Sequence, residues 1–72
     1  MRGTVSEFDE HKGYGIVTTD QERAYFFHCT QIADGSRTIA PGTAVMFELR
    51  PWHRGQLEAT MVSELYGLRS SD

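Results

Sequence analysis

One cysteine, Cys29, is all the chain carries, so no disulfide forms within it and a fold of 72 residues must hold without that staple. This suits a reducing compartment, and the expected location is the cytoplasm. Apolar residues never run for the roughly 18 positions that a membrane-spanning helix needs, and residues 1–3 lead into an alternating segment rather than the apolar core of a signal peptide. Neither secretion nor membrane spanning is expected. Positive charge is scarce as well: seven Lys and Arg face ten Asp and Glu, a net charge of −3 with histidines neutral. Such a surface on average repels a polyphosphate. It does not exclude one, because single-strand binding rests on a local basic groove and on base stacking, which is indifferent to net charge.

The residues that carry most chemistry are also sparse. His11, His28, Cys29 and His53 contain no C-x-x-C or H-x-x-x-H spacing, so no metal site is expected. Cys29 directly follows His28, and adjacent strand residues point to opposite faces, so the two are not expected to form a nucleophile and base. Cys29 reads as an inert core residue and the acidic residues as solvated turns. The expectation is a binding protein, not an enzyme, with no small-molecule substrate.

What is present is a hydrophobic content of 39% with 24% charged residues, ordinary for a folded soluble domain. A chain of this size buries only about 60% of its unfolded surface, so the core is small. Residues 2–8 are rich in β-branched and aromatic types and end in the polar turn of Asp9–Lys12. Tyr14–Thr19 and Arg23–Cys29 are β-prone runs flanking a polar turn, hence a hairpin. Ala33–Arg37 reads as a loop, and Pro41-Gly42 as a turn before the alternating run Val45, Phe47, Leu49. Leu57, Met61 and Leu65 sit at helical spacing, yet the same segment also alternates. A strand over about 56–64 is preferred, because Pro51–Gly55 suits a hairpin loop and four strands lack a closing partner. Five short strands without a long helix predict an all-β fold, a small closed or nearly closed barrel over residues 1–66, with 67–72 as a flexible tail. The expected core is Val5, Val17, Tyr25, Phe27, Ile32, Val45, Phe47, Leu49, Ala59 and Met61.

If Val17, Tyr25 and Phe27 point inward, strand alternation turns Tyr14, Ile16, Phe26 and His28 outward on two adjacent strands. Lys12 stands at their rim. Rings facing solvent beside a cation are what a single-stranded nucleic acid uses, with bases on the rings and phosphate on the ammonium. Exposed rings can equally pack under a loop or against a partner protein, and glycines among them can mark a barrel corner. Both readings stay open on this geometry alone.

The run "KGYGIV", Lys12–Val17, resembles the first ribonucleoprotein motif, and "YFFH", Tyr25–His28, resembles the second, in the order and spacing of bacterial cold-shock proteins. "GTVSEFDEHKGYG", "PGTAVMFEL" and "RGQLEATMV" resemble the family's start, fourth strand and fifth strand. The resemblance implies a five-stranded antiparallel OB-type barrel that binds single-stranded RNA or DNA with low sequence specificity, as an RNA chaperone or regulator of gene expression, and that needs no cofactor. It implies Tyr14, Phe26 and His28 as stacking groups, with Lys12, Arg37 and Arg54 near the phosphate path. A monomer or weak homodimer is expected.

The chain departs from that pattern at Glu7, Ile16, Cys29 and Ser36, where the family usually carries aromatics. Losing two such platforms weakens binding by about 2–6 kcal/mol, and Glu7 adds a like charge near the phosphates. Trp52, unusual at its place, either supplies a replacement surface or caps the barrel end. The competing expectation is a degenerate barrel whose apolar patch, with Ile16 and Phe26, serves protein–protein contact or self-association.

Overall fold

The computed structural model describes residues 1–65. The sequence expected a barrel to residue 66 and a tail over 67–72, and the last residue of that barrel and the whole tail lie outside the described residues. The strands are β1 (Arg2–Asp9), β2 (Tyr14–Thr18), β3 (Ala24–His28), β4 (Ala44–Pro51) and β5 (Leu57–Glu64), with no α-helix among the described residues. They close in the order β1-β2-β3-β5-β4, the expected five-stranded OB-type barrel. The segment that periodicity left ambiguous is a strand, because β5 pairs along most of its length with β4. Closure leaves no long free edge. It is completed by β1 on β4 and by β3 on β5, the latter through a single parallel pair, Phe26 opposite Glu58.

The barrel is filled by Val5, Val17, Phe27, Ile32, Ile39, Val45, Phe47, Ala59 and Val62, while Phe8, Tyr25, Cys29 and Leu49 pack against it half-buried. Each fully buried Val or Phe contributes roughly 1.5–3 kcal/mol. Phe8 and Phe27 stack with centroids 5.9 Å apart, and Tyr25 leans on Phe47. Met61, expected in the core, is instead 59% exposed. The cause is a bulge: Met46 pairs with Ser63 and Glu48 with Thr60, so β5 spends two residues, Met61 and Val62, against Phe47 alone. Met61 takes the left-handed conformation, φ 54°, and turns outward. Val62 inherits the core position and is fully buried. Ile39, also missed, lies in the irregular stretch between Gln31 and Ala44 and belongs to no periodic pattern.

Cys29 requires a second correction. β3 ends at His28, and Cys29 opens a 3-10 turn, Cys29–Gln31, so strand alternation does not separate the two side chains. The Cys29 thiol is half-buried, with Sγ 3.9 Å from His28 Nδ1. That nitrogen is otherwise engaged: it caps the turn by accepting from the Thr30 N–H at 3.3 Å and sits 3.0 Å from Thr30 Oγ1. In the loop beyond, the Ser36 N–H donates to the Asp34 carboxylate at 2.9 Å, and this hydrogen bond holds the carboxyl below its ordinary range.

Candidate functional site

The β1–β2 turn is built by Asp9, whose carboxylate accepts from the His11 and Lys12 N–H groups at 2.9 and 3.1 Å. Gly13 closes it with φ 77°, a conformation glycine adopts without strain. Its N–H donates to Asp9 and its carbonyl accepts from Cys29, which ties the turn to the end of β3. Lys12 is thereby fixed at the mouth of the β2–β3 face.

On that face two rows of side chains run across the strands. Tyr14 lies between Asp9 and His28, and Ile16 lies between Glu7 and Phe26. Residues directly opposite share a face, so both rows point away from the core. The second row continues through Glu58 on β5 to Arg50 on β4. Diagonal neighbours also meet: the Tyr14 and Phe26 rings are edge to face, centroids 5.7 Å apart. They remain 39% and 44% exposed, an open aromatic surface in a domain with few rings to spare.

Beneath this surface the strand must come close to the core. A Cβ on Gly15 would stand 2.9 Å from Phe8 Cδ1 and 3.0 Å from Phe27 Cζ, and would collide with the Glu7 carbonyl oxygen. Glycine at this position lets β1 and β2 approach over the Phe8–Phe27 stack, so that the rings above stand on a dense floor.

The rings form one wall of a cleft of about 400 Å³, floored by Phe27 and bounded by Lys12, His28, Trp52 and Glu58. Trp52 reaches it from the β4–β5 hairpin, where its N–H donates to the Gln56 carbonyl at 2.7 Å. Of the residues singled out in the sequence, Lys12, Tyr14, Phe26, His28 and Trp52 therefore meet in one place. Ile16 adjoins them as the half-buried partner of Phe26. Arg37 and Arg54 are exposed but do not line the cleft. Arg54 sits in the hairpin turn with φ 58°.

Glu58 was missed. Its outward face follows from alternation with Ala59, but its place beside Phe26 depends on β5 joining β3, a long-range pairing that no local pattern announces. The cleft is therefore mixed in charge, with an ammonium and a carboxylate both among its lining residues.

Residues 1–65 match the family model described as the "'Cold-shock' DNA-binding domain". The chain is similar to a cold shock-like protein of Thermotoga maritima, 39% identical over 56 residues, covering 76% of this chain and 85% of that protein. It is 36% identical over 63 residues to cold shock protein CspB of Bacillus caldolyticus, covering 86% of this chain and 96% of that protein. Among solved structures it resembles Drosophila Unr CSD456 with a TM-score of 0.71 and 26% identity, over 89% of this chain. It spans about a quarter (26%) of that longer chain.

Proposed function

Because the chain belongs to the cold-shock DNA-binding domain family, we propose that it binds single-stranded RNA or DNA by stacking bases on Tyr14, Phe26 and Trp52, with His28 beside them and Lys12 on the phosphates. The observation that carries this reading is the exposed Tyr14–Phe26 pair set in a cleft with a cation at its mouth. Stacking on one aromatic is worth roughly 1–3 kcal/mol per base and tolerates any sequence, because every base has a π-face. With so few rings the affinity is lower than that of a fully aromatic platform. The proposed setting is the cytoplasm of a bacterium, with the protein acting on RNA as a chaperone or regulator, as a monomer or weak homodimer.

The test is a fluorescence titration with heptameric oligothymidine and oligouridine at low and high salt, repeated with Phe26→Ala. The expected result is saturable quenching that weakens with salt and falls about 5- to 100-fold in the variant. Phe26 is partly exposed, so the variant keeps its fold. Absence of binding at tens of micromolar in low salt would overturn the reading and favour a face for protein contact, whose affinity salt would not weaken in this way.

A further inference from the structure

We infer that Glu58 makes the cleft selective for bases that present hydrogen-bond donors on their pairing edge, guanine foremost, over uracil and thymine. The inference rests on the nucleic-acid reading above and names the bases that the same site prefers.

Glu58 stands across from Phe26 at the one point where β3 and β5 pair. It is half-buried at the cleft wall. Among the described residues, no hydrogen bond or ion pair engages its carboxylate, and no buried side-chain polar atom lacks a partner. Its oxygens are therefore open to solvent, on a residue that lines the cleft. Arg50 opposes it on β4 but does not line the cleft.

A base stacked on an aromatic ring turns its edges, not its face, to the surrounding wall. An ionised carboxylate only accepts hydrogen bonds. Guanine offers N1–H and N2–H side by side and can satisfy both oxygens at once. Adenine and cytosine offer one exocyclic amine next to a ring-nitrogen acceptor. Uracil and thymine offer one N–H between two carbonyls, whose lone pairs face the carboxylate. A pyrimidine dione that strips water from Glu58 therefore leaves an acceptor poorly paired, which costs more than a missing attraction. Lys12, which also lines the cleft, is left to the backbone.

The experiment compares three heptamers in lithium buffer: seven uridines, the same strand with guanosine at the centre, and the same strand with inosine there. Inosine keeps N1–H and lacks the N2 amine. The wild-type chain is expected to bind the guanosine strand about tenfold more tightly than the all-uridine strand, the order of one bidentate base contact, with inosine between. In Glu58→Gln the guanosine advantage is expected to shrink to about threefold or less, because an amide accepts through one atom only. Affinity for uridine is expected to stay level or rise in that variant as a negative charge leaves the cleft, with an unchanged urea midpoint. Equal wild-type affinity for all three strands, or a guanosine preference that survives in Glu58→Gln, would overturn the inference while leaving the nucleic-acid reading intact. Failure of every strand to bind would overturn both.

Discussion

Glu7 stands directly across from Ile16 on the outer face of the β1–β2 hairpin, because Ser6 is an extra residue inserted after the Val5–Val17 pair. The bulge is held by its own side chain: the Ser6 hydroxyl donates to the Ile16 carbonyl at 3.2 Å and accepts from Thr18 Oγ1 at 3.0 Å. It resets the alternation so that Glu7 faces out and Phe8 faces in. A carboxylate thus occupies the start of the row that continues through Ile16 and Phe26.

Glu7→Trp should convert that position into a platform. Glu7 is exposed and accepts a larger side chain without repacking the core. One added stacking surface is worth roughly 1–3 kcal/mol, and removal of a like charge adds to it. The expected outcome is a 5-fold or greater gain in oligothymidine affinity at low salt, read by fluorescence titration; unchanged affinity would place the strand away from β1.

The three candidate cations should separate by salt dependence. Each phosphate contact on a single strand contributes about 0.7 to the slope of log affinity against log salt. Lys12→Gln is expected to reduce the slope by about that amount. Arg37→Gln and Arg54→Gln, whose side chains lie outside the cleft, are expected to change it less. A reduction of about 0.7 in either arginine variant would extend the phosphate path beyond the cleft.

Gly15→Ala should destabilise the fold, not merely the site. The added methyl meets backbone at Glu7 and two rings at Phe8 and Phe27, none of which is a flexible side-chain end. Overpacking of this kind typically costs about 1–3 kcal/mol. A urea titration is expected to show a lower midpoint with an unchanged slope; an unchanged midpoint would mean that β1 and β2 move apart freely.

Much of this was legible in the chain. The outward set Tyr14, Ile16, Phe26 and His28 follows from two short runs in which Val17 and Phe27 fix the phase, and a strict period of two carries the rest. Lys12 follows because the Asp9 turn leaves it at the strand mouth. Where alternation is broken by an inserted residue, the reading fails: Met61 and Val62 exchange places across a bulge that no turn residue marks. Where a neighbour comes from a distant strand, the reading is silent, so Glu58 was not seen beside Phe26. Trp52 was read two ways because a loop has no period, and the hairpin that places it on the cleft closes through backbone contacts with Gln56.

Met61 carries φ 54° with 59% of its surface exposed, so its side chain packs little and its backbone holds the strain. A left-handed conformation costs an ordinary L-residue about 1–2 kcal/mol, less for asparagine, and most for a β-branched side chain. Met61→Asn is therefore expected to stabilise the barrel by about 1 kcal/mol or less, and Met61→Ile to destabilise it by a similar amount. Both effects should appear in urea unfolding, with no change in nucleotide affinity, because Met61 lies outside the cleft. If instead isoleucine stabilises and asparagine destabilises, the bulge is absent in solution, and the residue faces the core as strict alternation along β5 would have it.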